Sequence, residues 1–184
     1  MGKPSYLPLL NAIAVNEAKG EQFLSAWADT TPDEQLAEAL RFVAIREGEH
    51  AWAFTKRMCE LGYEVSEKDA FQVFSDFDGL MDCVCSDADD ADKVAYVTGM
   101  LGNGGEDAPD PFSGFFNDTS IDPDTGALLG RYIAEERDSG RRLQTQYDRI
   151  RQGRRGPDAS ELDELKTRIK ALQKEVKALK RLHD

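Results

Sequence analysis

Apolar residues recur along this chain at spacings of three and four over several long stretches, and that period predicts helices rather than strands. Over residues 7–28, Leu10, Ile13, Leu24 and Trp27 fall on one face. A second stripe of Leu36, Leu40, Val43, Phe54, Met58 and Leu61 predicts a helix from Thr31 to Leu61. Thr31 and Glu34 would form a capping box around Pro32, and Gly62 is a natural stop. The short connection between these helices predicts an antiparallel hairpin.

The third region has two solutions. Phe71, Phe74, Phe77, Met81 and Val84 predict one helix, and Val94, Val97 and Leu101 another after Ser86, so 67–102 is either one broken helix or two. Residues 102–124 are rich in Gly, Pro, Asp and Asn and predict a loop. A last long helix would start at Asp122-Pro123 and carry Leu129, Ile133, Leu143, Tyr147 and Ile150. Convincing strand runs are absent, so the expected class is all-α.

Beyond this bundle (1–151), residues 152–160 predict a linker and 161–184 a coiled-coil helix. There Leu162, Ile169 and Val176 occupy position a of a heptad, and Leu165, Leu172 and Leu179 position d. β-Branched residues at a with Leu at d favour a parallel two-stranded coiled coil, which predicts a homodimer.

Composition narrows the picture. The chain has 184 residues, 40% of them hydrophobic, enough for a core but without the run of ~20 apolar residues that a membrane span needs. The N-terminal stretch reads as no signal peptide. Cys59, Cys83 and Cys85 make an odd number and no disulfide framework, which predicts a reducing, cytoplasmic setting. The net charge of −12 argues against nucleic acid as a partner. Residues 64–124 alone hold 16 acidic and 2 basic side chains and read as a solvated acidic region.

The informative acids are those that interrupt the apolar stripes. Glu47 and His50 continue the series 36, 40, 43, 47, 50, 54 and point along the apolar face of their helix. Glu17 falls between Ile13 and Leu24 on the inward side of the first helix. Glu136 sits at the centre of the series 129, 133, 136, 140, 143, while Glu135 lies about 90° away by the same count. A lone carboxylate on a core face costs several kcal/mol and calls for a partner or a metal ion. One internal solution is a polar network with Arg131, Arg137 or Tyr132 as partners.

Glu17, the Glu47-x-x-His50 of REGEHAWAF and the Glu135-Glu136 of YIAEERDSG resemble the ferritin-like superfamily, most nearly its rubrerythrin-type members, over residues 7–151. The resemblance implies a four-helix bundle that holds a di-iron or di-manganese carboxylate site. It implies Glu17, Glu47, His50 and Glu136 as metal ligands, with an oxidase, peroxidase or Fe(II)-oxidising activity. Two departures follow. Ser139 stands three residues after Glu136, where the pattern asks for a second histidine, and the third region offers no inward Glu. Glu135, Asp138, Asp78 and Asp90 are the secondary candidates. A mononuclear site, or a metal-free structural or interaction protein that keeps only the fold, fits these departures as well. No residue stands out as a catalytic nucleophile or base.

Deleting residues 157–184 is expected to convert a dimer to a monomer in analytical ultracentrifugation; an unchanged mass would refute the coiled-coil role.

Overall fold

Asp33 starts the second helix and fixes the corner around which the bundle is built. In the computed structural model, which describes residues 3–102, 112–155, 166–169 and 172–173, α1 spans Leu7–Thr30 and α2 spans Glu34–Glu60. The carboxylate of Asp33 accepts the Leu36 amide at 2.9 Å, while Thr31 remains extended and accepts the Asp33 amide through Oγ1. The cap is therefore Asp33 and not Thr31. The Thr31 hydroxyl is engaged elsewhere, since it takes the Asp33 amide and donates to Asp90, so the Asp33 carboxylate is the group left to meet the first free amides of the helix. At the other end, the Tyr63 amide reaches the Met58 carbonyl and the Gly62 amide the Cys59 carbonyl, both at 2.9 Å. Gly62 takes φ +82°, the left-handed conformation that this helix stop requires.

The chain then returns across α1 without regular structure, apart from a single 3-10 turn at Glu67–Asp69. Two asparagines of α1 hold it. Asn11 exchanges bonds with the carbonyl and amide of Ser66, both at 2.8 Å. Asn16 donates to the Phe71 carbonyl at 2.8 Å and accepts the Val73 amide at 2.9 Å. Backbone groups so committed are not available for a helical ladder. The helix expected from the Phe71, Phe74, Phe77 spacing accordingly begins only at Phe77. Phe74 is nonetheless buried, with its ring edge on Phe23 at 5.5 Å between centroids.

Residues 67–102 thus hold that turn and two short helices, α3 (Phe77–Cys85) and α4 (Asp90–Leu101). Asp76 caps α3 and Asp89 caps α4. The buried ammonium of Lys93 closes the corner between them by donating to the Val84 carbonyl at 3.0 Å and to Thr30 Oγ1 of α1 at 3.1 Å.

The last element, α5 (Pro123–Arg155), starts where its sequence places it. Asp122 accepts the amides of Asp124 and Thr125, and also takes hydrogen bonds from Tyr6 and Arg57, each at 2.7 Å. One carboxylate therefore ties together the entry to α1, the last turn of α2 and the start of α5. At the far end Trp27 stacks on Tyr147 at 5.7 Å. α5 therefore runs parallel to α1 and antiparallel to α2, and the core between them includes Leu10, Phe54 and Leu129, all fully buried.

Every regular element among the described residues is helical. α5 continues to Arg155, so 152–155 of the expected linker are helix. By internal contacts the chain divides into residues 1–147 and 148–184. Of the second unit's heptad positions, Ile169 and Leu172 lie in short helical stretches and are exposed, whereas Leu162, Leu165, Val176 and Leu179 lie outside the described residues.

Asp122→Ala is expected to cost about 1–2 kcal/mol in chemical denaturation, since it removes a helix cap. The hydrogen bonds from Tyr6 and Thr125 and the Arg57 guanidinium outweigh desolvation and hold the Asp122 carboxyl below its usual range. A depressed folded-state pKa stabilises above the unfolded value of ~4, and that contribution fades as acid protonates the folded form. The stabilities of wild type and variant should therefore converge as the pH falls below about 4.

Candidate metal centre

Near the middle of the bundle, the apolar stripes of α1, α2 and α5 are each broken at about the same level. α1 contributes Glu17, α2 contributes Glu47 and, one turn later, His50, and α5 contributes the Glu135-Glu136 pair. His50 lies at the centre and is only 4% exposed. Its Nδ1 is 3.1 Å from Glu17 Oε2 and 3.3 Å from Glu136 Oε1, and its Nε2 is 2.9 Å from Glu135 Oε2. Glu17, His50 and Glu136 offer one ligand atom each, all within 4.8 Å of one another.

The α5 glutamates show what helical counting misses. Glu136 is the more enclosed, with 18% of its side chain exposed against 27% for Glu135. An imidazole has two nitrogens on opposite sides of the ring, however, and adjacent residues on one helix can address both. Glu136 meets the inner nitrogen and Glu135 the outer one. Arg131, one turn earlier, pairs with Glu135 at 3.0 Å.

So many acids in one place distort each other's protonation. Burial pulls the His50 imidazolium down, but the neighbouring carboxylates of Glu136, Glu17 and Glu135 outweigh it and lift its pKa to about 10. Glu47 is pushed well above the usual carboxylate range by burial and by the negative field of Glu17 and Glu136. Glu136 rises for the same first reason, burial, with Glu17 opposing the relief that His50 supplies. Glu135 moves the other way, because His50 and Arg131 override its desolvation.

Two features accommodate this cluster. Gly20, one turn after Glu17, leaves the space that the Glu47 carboxylate occupies; a Cβ there would collide with Glu47 Oε2. Tyr132 donates its hydroxyl to Glu17 Oε1 at 2.8 Å and presents its ring edge to His50 at 5.0 Å between centroids. Of the three partners proposed for an internal network, Tyr132 reaches Glu17, Arg131 reaches Glu135, and Arg137 lies over the Phe112 ring. The signal for Tyr132 is its position on the stripe between Leu129 and Glu136.

One atom remains unsatisfied. Among the described residues Glu136 Oε1 is buried and accepts no hydrogen bond, although it is within ion-pair reach of His50 Nδ1 at 3.3 Å. A single Nδ1 hydrogen cannot serve both Glu17 and Glu136 fully.

The secondary acids fall elsewhere. Asp138 is held to about pKa 2 by hydrogen bonds from Arg142 and Arg46 and faces those guanidinium groups. Asp78 is exposed in the first turn of α3. Asp90 accepts from Trp27 Nε1 and Thr31 Oγ1, so it lies ten residues and about 15 Å along α1 from Glu17. Ser139 is buried and accepts from Arg46 at 3.2 Å. The side chains that could hold an ion are therefore Glu17, His50 and Glu136, with Glu135 orienting the imidazole from behind and Glu47, the fourth residue expected from the sequence, packed against Gly20. Comparison with family models, with curated proteins and with solved structures finds no match to this chain.

Tyr132→Phe keeps the ring and removes the donor to a buried carboxylate. It is expected to destabilise the fold by about 1–3 kcal/mol, measured as the change in unfolding free energy against wild type.

Proposed function

We propose that this chain is a ferritin-like helical-bundle protein that binds iron or manganese at Glu17, His50 and Glu136, with Glu47 beside them. The observation that carries this reading is the buried Glu17–His50–Glu136 group with its unpartnered Glu136 oxygen. A buried acceptor without a partner costs about 1–3 kcal/mol, and a cation coordinated there would satisfy it. Glu135 on the outer nitrogen of His50 is the carboxylate–histidine arrangement that orients imidazole ligands and raises their basicity. The donors are hard oxygens and one imidazole, a set suited to manganese or ferrous iron.

Three donor side chains, a single histidine among them, support one ion better than two. α1, α2 and α5 would be three members of the four-helix bundle, with α3 and α4 together in the fourth place; α3 packs on α1 and α4 on α3. Bound iron or manganese supplies one-electron chemistry toward O₂ or peroxide. The chain's own groups hold the ion, Tyr132 orients Glu17 through a hydrogen bond from its hydroxyl, and Glu47, its carboxyl pushed well above the usual range by burial and by Glu17, stands beside them. No helix among the described residues is long and apolar enough to cross a membrane. The three free cysteines suit a reducing, cytoplasmic setting, and the heptad segment suits a homodimer.

A second reading rests on a different observation. Both nitrogens of His50 already face carboxylates, so a protonated His50 can serve as a cationic hub of a metal-free interaction protein.

Protein purified without chelators and reconstituted with Fe(II) or Mn(II) is expected to hold about one ion per chain, and Glu47→Gln/His50→Ala to hold none. Less than about 0.1 ion per wild-type chain by elemental analysis would leave the metal-free reading. Because His50 titrates near 10 without metal, loading at neutral pH must displace its proton. Mn(II) affinity should then rise about tenfold per pH unit between pH 6 and 8.

A further inference from the structure

Above the carboxylate cluster lies a cavity of about 530 Å³, within the range of small-molecule pockets. Its walls are apolar: Ile13, Phe23, Leu24 and Val43 from α1 and α2, Phe74 from the returning chain and Leu143 from α5. Its inner end is polar and is formed by Glu17, Glu47 and Glu136. Its outer end is also unusual. Phe71, Val73 and Leu101 line the cavity yet are 76%, 48% and 46% exposed, so the opening is greasy where a soluble surface would ordinarily be polar.

We propose that this cavity binds an apolar alkyl or aryl molecule that carries a neutral hydroxyl head, an alcohol or a phenol. The walls select the apolar body. The inner end selects the head, because among the described residues Glu136 Oε1 is a buried acceptor with no hydrogen bond, its neighbour His50 Nδ1 at 3.3 Å being shared with Glu17, and a hydroxyl supplies a donor. An anionic head would meet three acidic side chains at close range, and an alkylammonium, which has a single charge, would give up its hydration for carboxylates that His50 and Tyr132 already engage. The inference stands on the cavity and on that free acceptor, and it does not require a metal ion.

The test uses the full chain, as purified and after EDTA treatment, with N-phenyl-1-naphthylamine as a neutral fluorescent reporter. Saturable binding of one reporter per chain is expected in the EDTA-treated protein, with displacement by decan-1-ol. Decanoate and decylamine should each need about tenfold more to displace it. Phe71→Ser, at an exposed position, should weaken binding several-fold, and Ala12→Phe, in the wall, should abolish it. Trp52→Ser, an exposed apolar residue elsewhere on α2, should change nothing. Thermal melts of all three variants identify any loss of fold, and Phe71→Ser keeps the test decisive if Ala12→Phe unfolds. Absence of saturable binding, displacement by decanoate or decylamine as effective as by decan-1-ol, or unchanged binding in Phe71→Ser would overturn the proposal. Metal content read on the same samples separates the two ideas. Alcohol binding by protein that takes up no ion even after reconstitution with Fe(II) or Mn(II) removes the metal reading alone, and metal uptake without reporter binding removes this one alone.

Discussion

A single imidazole holds the three long helices in register. His50 on α2 contacts Glu17 of α1 through one nitrogen and Glu135 of α5 through the other, with Glu136 also at the inner nitrogen. Hydrophobic contacts are tolerant of sliding, whereas charge-assisted hydrogen bonds near 3 Å are directional. The apolar stripes decide that these helices pack, and His50 decides at which level they align. The Asp122 junction does the same at one end of the bundle, where it gathers Tyr6, Arg57 and Thr125.

That arrangement carries a charge problem, and the surrounding residues show how it is met. Four glutamates around one histidine cannot all be ionised in a dry interior. Burial and the field of Glu17 and Glu136 push the Glu47 carboxyl well above its usual range, toward its neutral form, and Tyr132 offsets part of the Glu17 charge through its hydroxyl. Arg131 holds Glu135 on the solvent side, and Arg46 anchors the same stretch of α5 through the Glu135 carbonyl and Asp138. The unpartnered Glu136 oxygen is the residue of the problem, and both functional proposals start from it.

Much of this was legible in the sequence, because long amphipathic helices announce their inward faces. Glu17, Glu47, His50 and Glu136 stood out as polar interruptions of apolar series, and the structure brings them together. Three features were less legible, each for a physical reason. Glu135 was ranked behind Glu136 because periodicity describes a helix face and not the two-sided shape of an imidazole. The cap of α2 is Asp33 and not Thr31 because the Thr31 hydroxyl is taken by Asp90, a residue far along the chain, and by the Asp33 amide. Phe71 and Phe74 mimicked a helix because a side-chain amide on another element had taken up the backbone bonds between them. Asp90 had no signal to separate it from a cap or ligand, since its partners Trp27 and Thr31 are about 60 residues away in sequence.

Asn16 has one more consequence. It holds the chain at Phe71 and Val73 through main-chain groups only, a carbonyl and an amide. Those bonds are indifferent to which side chains the two positions carry. The rim of the cavity is thus built like a fixed frame with interchangeable panes: substitutions at 71 and 73 can reshape what the opening admits while Asn16 keeps the chain in place. The fold thereby separates the residues that maintain the bundle from those free to diversify, and selectivity can change at the rim without disturbing the charged centre beneath it.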